Sequence, residues 1–501
     1  VESGASGALQ LTSVVADVAD HMQQPVSAPQ ASLFSNKQAE FDVDAQAAAL
    51  LPEFQGDLER ADEWNRYTID VAIDPQARTI AGRMRLEYNN RDSAPLDALY
   101  FRLYPNLQDR GAFGGRLDVS AITVDGRSIV TAYEQRRSVL RVDLPQHLEP
   151  GSGVVVELDF SAKTPENASA RFYGAFNKER GVFALASSYP IVAIVRDGVW
   201  DTGYPDPKGD FVNSETSLYD VTLTAPADWT LVTSGVEIDG WAREGRQARR
   251  FVSGPQRDFM IVATQYARVS TEVDGTQVHS YFRPGGAAGG QAALDAGVNA
   301  LRAFNERYGR YPFVELDIVE FAATMFLGVE YPGLLMIERT LYNQPASLEI
   351  TVAHEVAHQW WYSLVGSDVQ HEAWIDEGLA SFSQVVYQEE VYGSAVAARE
   401  LEGFRQRYRA AIAQGRDAQL AQHNARFRGN YVNLVYGKSV LFFQALREQI
   451  GEAAFDRFLR DLYAERRYDF VSGADVLASA ESACTCELDG LYREWVLSVG
   501  R

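Results

Sequence analysis

Cysteine and histidine are scarce in this chain: 501 residues carry two of the first and seven of the second. The cysteines, Cys484 and Cys486, stand one residue apart in "SACTCEL". A loop that short gains little from closure, and no third or fourth cysteine is near enough to complete a metal site. They are therefore expected to be two incidental thiols. No run of 18 or more apolar residues occurs, so no transmembrane segment is expected in this chain. Positive charge is also short, with 46 Lys and Arg against 68 Asp and Glu, a formal net charge of −22 and no basic cluster. Such a surface repels nucleic acid and anionic lipid, and both are set aside as partners.

What is present is ordinary globular material, 46% hydrophobic and 23% charged, enough for two to four domains. The chain begins at Val1 rather than Met, which leads to the expectation that a segment upstream was removed. Up to Asn65 eleven acidic residues face only Lys37 and Arg60, in a stretch otherwise rich in Ala, Ser, Gln and Val. Residues 1–63 are read as an acidic, flexible spacer. A location that is exported or tethered to the envelope is favoured over a cytoplasmic one.

From residue 64 the pattern is that of strands. In "GRMRLEY" Met84, Leu86 and Tyr88 alternate with Arg83, Arg85 and Glu87. "ALYFRLYP", "SVLRVDLP", "GVVVELDF", "LYDVTLTAP", "RRFVSGP" and "VHSYFRP" continue it, so residues 64–280 form a β-rich saddle or sandwich. "GGAAGG" near residue 285 reads as a flexible join. Helical spacing then dominates residues 281–501, with helices expected at 291–309, 347–364 (Ser347 as N-cap), 372–391, 394–414, 436–449, 452–464 and 486–498. A short β element, "ELDIVEFA" with "GLLMIE", interrupts them. The fold class is α+β and multidomain, all-β first and mostly helical second.

Three of the seven histidines fall in "TVAHEVAHQWWYSLVGSDVQHEAWIDEGLASF", residues 351–382. His354 and His358 are four apart on an expected helix, so both imidazoles leave one face and converge. Glu377, on the next helix, supplies a third ligand. Two His and one Glu leave one position of a tetrahedral Zn²⁺ open for water, which is a catalytic rather than a structural arrangement, and one zinc per chain is expected. Glu355 is adjacent but off the ligand axis, placed to act as general base towards that water. His371 is read as a polar residue of the loop entering the ligand helix, or as a residue of the cleft.

"VAHEVAHQWW" followed by "WIDEGLASF" resembles the zinc aminopeptidases of the aminopeptidase N family, gluzincins with His-Glu-x-x-His and a Glu eighteen residues beyond. "FLGVEYPGL", residues 326–334, is similar to the family's exopeptidase motif, and "YGKSVLFFQAL", from Tyr436, to the segment that supplies its catalytic tyrosine. "LDGLYREWVL" is similar to the close of its catalytic domain. The resemblance implies a thermolysin-like zinc catalytic domain over residues 281–501. It implies peptide substrates with a free N-terminus, and hydrolysis of their N-terminal residues through a zinc-activated water. Glu355 and Tyr436 would be catalytic; Glu330, with Gly328 and Phe326, would bind substrate, Glu330 on the α-ammonium and Phe326 near the first side chain or in the core.

This chain departs from the family's motif at Leu327-Gly328-Val329-Glu330-Tyr331, where only the Glu survives. Between Gly181 and Trp200 no Gln or Glu supplies the second amine anchor that many members carry. With 65 residues after Tyr436, a helical C-terminal domain like that of larger members is not expected, and the cleft should be open. Two alternatives remain at this stage: a zinc endopeptidase using the same groups, and a silent peptide-binding scaffold.

Overall fold

The computed structural model describes residues 40–107, 115–165, 176–179, 181–210, 212–323 and 326–499. The expected spacer lies outside the described residues up to 39. From Asp44 it is no spacer. Two 3₁₀ helices, Asp44–Ala49 and Pro52–Glu63, dock on the body. Leu50 and Leu51 are buried, Leu50 bridges to Phe313, and Asp57 receives paired hydrogen bonds from Arg467 at 2.8–3.0 Å. The composition is acidic and small, but its few large apolar residues are enough to anchor it.

The β-rich region is built on an eight-stranded sheet centred on Ser217–Pro226, Asn65–Asp74, Thr79–Asn89 and Gly153–Lys163. Alternation is kept: Met84, Leu86 and Tyr88 are buried while Arg83, Arg85 and Glu87 are not. A buried cluster including Tyr67, Leu86, Leu99 and Val221 fills the space beneath this sheet.

The second domain starts earlier than residue 281. Its five-stranded sheet runs, in spatial order, Ala267–Val273, Thr276–Phe282, Glu315–Phe321, Leu334–Glu338 and Gly328–Tyr331. The first two strands, read from the sequence as the end of the β domain, pair forward into this sheet, because Thr276–Phe282 runs parallel to Glu315–Phe321. A right-handed crossover helix is the usual way to join such parallel strands, and α1 (Ala287–Tyr308) supplies the connection here. Of the "GGAAGG" join, Gly285 and Gly286 form the turn and N-cap, and the last four residues are the first turn of α1. A Cβ at Gly290 would fall 2.0 Å from the Phe282 ring, and one at Gly289 2.6 Å from Tyr342 O. These glycines let the helix lie close on the sheet rather than loosen it.

The remaining helices are α2 (Pro345–Ala357), α3 (Ala373–Tyr392), α4 (Ser394–Ala413), α5 (Ser439–Ile450), α6 (Glu452–Arg466) and α7 (Gly473–Cys484). Helix α2 starts at Pro345 and not after Ser347: proline's fixed φ suits the first helical position, where its missing N–H costs nothing. It also ends seven residues short of expectation, at Ala357. Helix α7 was not read from the sequence, though Ser472 and Asp475 form a full capping box at its start. The expected 486–498 helix is only Asp489–Tyr492 with a π-turn after it. Cys484 and Cys486 are not free thiols but a disulfide. The left-handed Thr485 between them (φ 54°) turns the chain so that the two sulfurs meet.

A third apolar cluster seals the two domains together. It joins Val182, Ala184, Val232 and Val262 of the β domain to Val319, Val329, Tyr331, Leu334 and Met336 of the five-stranded sheet. The edge strand Gly328–Tyr331 is therefore packed through Val329 and Tyr331 onto this cluster, which leaves Gly328 and Glu330 to the other face.

Candidate active site

Helix α2 and the turn after it place His354, Glu355 and His358, and α3 brings Glu377 to meet them. His358 lies just past the last helical residue but keeps helical φ and ψ (−63°, −13°), so the four-residue spacing still works. The ligand atoms converge. His354 Nε2 is 3.1 Å from His358 Nε2 and 3.2 Å from Glu377 Oε2, and His358 Nε2 is 3.5 Å from Glu377 Oε2. Two imidazole nitrogens and one carboxylate oxygen at these separations match the edges of a tetrahedron whose arms are about 2.0–2.1 Å. They fit one zinc-sized cation.

The tautomer of His358 is set from behind. Its Nδ1 lies 2.7 Å from Asp376 Oδ1 and 3.1 Å from Trp361 O. With Nδ1–H donated there, the Nε2 lone pair faces the cluster, as a metal ligand requires. Asp376 was missed from the sequence; its signal is its place beside Glu377 in "WIDEG", one position round α3.

Electrostatics point the same way. Five carboxyl groups, Asp210, Glu330, Glu355, Asp376 and Glu377, surround two imidazoles. Burial works to raise Glu377, but the two histidines outweigh it and hold the group at about 2. Burial lowers His354. His358 is raised despite its burial, by Glu330 and Asp376. Glu355 is pushed by burial up to about 8, and its Oε2 has no hydrogen-bond partner among the described residues. Glu330 is driven well above the carboxylate range by burial, then by the charge of Asp210. A pocket this acidic and this dry is stabilised by a dication and by a cationic substrate group.

Tyr436 sits in a π-helical turn, Val432–Lys438, that leads into α5, and its hydroxyl donates to Glu377 Oε1. Its ring lies 6.0 Å from that of His354. Burial raises its pKa well above 10, so it remains a donor. The expected helix start at 436 thus falls inside a wider turn, a feature that recurs at functional sites.

The strand Gly328–Tyr331 forms the opposite wall, with Glu330 buried near Glu355. Gly328 faces the base: a Cβ there would fall 2.3 Å from Glu355 Oε1. Phe326 lines the cleft and also packs on Phe321, with ring centroids 5.8 Å apart. His371 is not in the cleft; it is exposed on the loop before α3, beside Asp368 and His423. The cleft itself is about 390 Å³ and is lined by all the residues expected from the sequence, together with Pro207–Asp210, Gly429, Tyr431 and Val432. A larger cavity, about 670 Å³, lies elsewhere and contains none of them. Chemistry rather than volume marks the site.

Asp210 is the second residue that sequence reasoning passed over. It comes from the β domain, on a loop held in place by Gln370 Nε2 donating to Asp210 O at 2.6 Å and Asn424 Nδ2 donating to Lys208 O at 3.0 Å. The sequence was read for a second amine anchor only between residues 181 and 200, and Asp210 lies outside that stretch.

Comparison with known proteins agrees with this picture. Residues 292–495 match the peptidase family M1 domain. The puromycin-sensitive aminopeptidase of Caenorhabditis elegans is 26% identical over 54% of the chain and 30% of its own length. Aminopeptidase M1-B of Oryza sativa subsp. japonica is 25% identical over 77% of the chain and 46% of its own length. The chain thus spans less than half the length of these relatives. The crystal structure of an M1 zinc metallopeptidase from Deinococcus radiodurans superposes with a TM-score of 0.65 at 19% identity, covering 86% of this chain and 93% of that one. A mutant of that enzyme was crystallised with a Tyr-Ser-Ala substrate. The two-domain order, β-rich then helical, is shared.

Proposed function

We propose that this chain, whose residues 292–495 match the peptidase family M1 domain, is a zinc aminopeptidase that removes N-terminal residues from peptides. One zinc per chain, held by His354, His358 and Glu377, would polarise the scissile carbonyl and acidify a water molecule. Glu355 takes a proton from the attacking water and returns it to the leaving amine. Its burial keeps its basicity matched to neutral pH, and the absence of a Cβ at Gly328 makes room for it. Tyr436 donates a hydrogen bond to the carbonyl oxygen as negative charge builds there.

The observation that carries the exopeptidase reading is the pair of carboxyl groups, Glu330 and Asp210, that line the cleft beside the base. They come from two different domains, and the charge of Asp210 acts on Glu330 and on Glu355. A buried carboxyl and a partly exposed one lining the same cleft are complementary to an α-ammonium group. They fix the first peptide bond over the ligand cluster, with Phe326 beside the first side chain. An oxidising compartment, exported or envelope-tethered, is part of the proposal; the Cys484–Cys486 disulfide supports it and cell fractionation tests it.

The decisive comparison uses aminoacyl substrates and their N-acetylated forms on wild type, Glu330→Gln and Asp210→Asn. Wild type should cut only the free-amine series. Each substitution should lower kcat/KM on that series roughly ten- to a hundredfold, the worth of a charge-assisted contact of about 1.5–3 kcal/mol. Internal cleavage of N-acetyl peptides by wild type would replace this reading with an endopeptidase. A protein that bound peptide but cut neither series would be a scaffold.

A further inference from the structure

A separate imidazole–carboxylate cluster lies on the five-stranded sheet, away from the cleft. Strands Thr276–Phe282 and Glu315–Phe321 run parallel, with His279 in register with Asp317. Residues two apart share a face of a strand, so Glu315 and Asp317 project on one side with His279 beside them. One ligand atom from each of the three lies within 4.8 Å of the others. Glu315 and Asp317 also line the cavity of about 670 Å³ between this sheet and the β-domain strands Thr230–Thr233 and Val236–Arg243, which gives a route for an ion and its waters.

Two details distinguish this cluster from a chance meeting of polar groups. Asp317 is only 1% exposed, and its Oδ1 has no hydrogen-bond partner among the described residues. A carboxylate so placed is costly unless a cation or a proton compensates it. Burial, then the charge of Glu315, raises it well above the carboxylate range. Arg268 is felt by both acids, but its guanidinium is engaged by Tyr281, whose ring centroid is 5.9 Å away. The second detail is the tautomer. His279 Nδ1 is 2.7 Å from Ser270 Oγ on the neighbouring strand, while Nε2 faces Glu315 Oε2 at 3.6 Å. That gap is too long for a hydrogen bond. It is close to the separation of two ligands on one ion with bonds of about 2.0–2.2 Å. With Nδ1–H donated to Ser270, the Nε2 lone pair points towards the carboxylates, the arrangement in which a histidine binds a metal.

We propose that His279, Glu315 and Asp317 form a second divalent-cation site, distinct from the cleft and set at the seam between the two domains. One imidazole and two carboxylates select a transition-metal ion of the Zn²⁺ or Mn²⁺ class over Ca²⁺, which takes oxygen ligands in larger number. The ion joins two strands of the sheet whose far edge is Gly328–Tyr331, and its work is structural. It removes the cost of burying Asp317 and cross-links the two parallel strands.

The test counts metal in full-length protein stripped with chelator and refilled with Zn²⁺ alone. Wild type should take up two equivalents by elemental analysis, and the double variant His354→Ala/His358→Ala should keep one. Asp317→Asn, which preserves shape, should lose one equivalent while retaining peptide cleavage; His279→Gln repeats the measurement should the first variant fail to fold. Zn²⁺ should raise the melting temperature of His354→Ala/His358→Ala, and not that of the same protein carrying Asp317→Asn as well. A His354→Ala/His358→Ala protein that binds no zinc overturns the proposal, as does undiminished binding by both Asp317→Asn and His279→Gln. Failure of the cleft reading looks different: wild type would bind a single equivalent that only the Asp317 and His279 substitutions remove.

Discussion

Glu355 occupies a position in which size, charge and burial are separable by one substitution. Gln keeps the shape that Gly328 accommodates but cannot accept a proton. Glu355→Gln should keep its zinc, measured by elemental analysis, while kcat falls roughly 10²- to 10⁴-fold, the usual worth of a general base. A variant with near-normal kcat would mean that another group takes the proton. Tyr436→Phe should lower kcat more than it changes KM, because its hydrogen bond to substrate strengthens only as charge develops. The hydroxyl's contact with Glu377 would be lost as well, so its zinc content belongs in the same measurement.

At the scale of elements, the site depends on how one edge strand is held against one helix end. Gln359, wholly buried just after α2, accepts from Gly333 N–H at 2.8 Å and donates to Tyr331 O at 3.1 Å. These bonds tie the turn after Glu330 to the turn after His358. Gln359→Leu would leave a buried N–H and a buried C=O unpaired, at about 1–3 kcal/mol each. Denaturant titration should register that loss, and KM for free-amine substrates should rise more than kcat falls, since Glu330 shifts while the base does not. The shortness of α2 has the same origin. Arg257 Nε donates to Tyr362 O at 2.7 Å and His358 Nδ1 contacts Trp361 O, so the chain leaves the helix to make these contacts.

Across the whole molecule, Arg257 clamps the two domains. Besides Tyr362 O it donates to Asp469 O at 2.5 Å and to Ser214 O at 3.3 Å, its guanidinium stacks on Phe470 4.3 Å from the ring centroid, and a Cβ at Gly366 would fall 2.1 Å from its Cζ. Arg257→Met should cost about 3–5 kcal/mol, read as a lower unfolding midpoint, because several buried carbonyls lose their donor together. The neighbouring Asp258 makes stability depend on pH. Burial raises its carboxyl to about 7, although Tyr362 OH donates to it at 2.9 Å. The unfolded chain releases this proton near pH 4, so between about pH 4 and 7 the folded state holds more protons. This group's contribution is thus most favourable below that window and is lost as pH rises through it. Asp258→Asn should be more stable than wild type at pH 8, by roughly 1–4 kcal/mol, and gain little at pH 4. Urea titrations at the two pH values check the sign.

Histidine spacing, strand alternation and helical periodicity are local properties, and what rests on them could be read from the chain alone. The convergence of His354, His358 and Glu377, the order of a β-rich region before a helical one, and the buried face of Met84, Leu86 and Tyr88 are of this kind. Glu330 and Tyr436 were legible through motif resemblance, and the structure brings both to the cleft. What could not be read depends on contacts distant in sequence. The forward pairing of Thr276–Phe282, the docking of Asp44–Glu63, the π-turn around Tyr436 and the meeting of Asp210 with Glu330 leave no periodic trace in the residues that form them. Even the composition of "GGAAGG" and "SACTCEL" misleads, because a glycine pressed against Phe282 and a cysteine turned back by Thr485 look locally like a join and two spare thiols. Short-range chemistry is written in neighbouring side chains; which surfaces are brought together is settled by burial across the whole fold, and only the tertiary structure decided that.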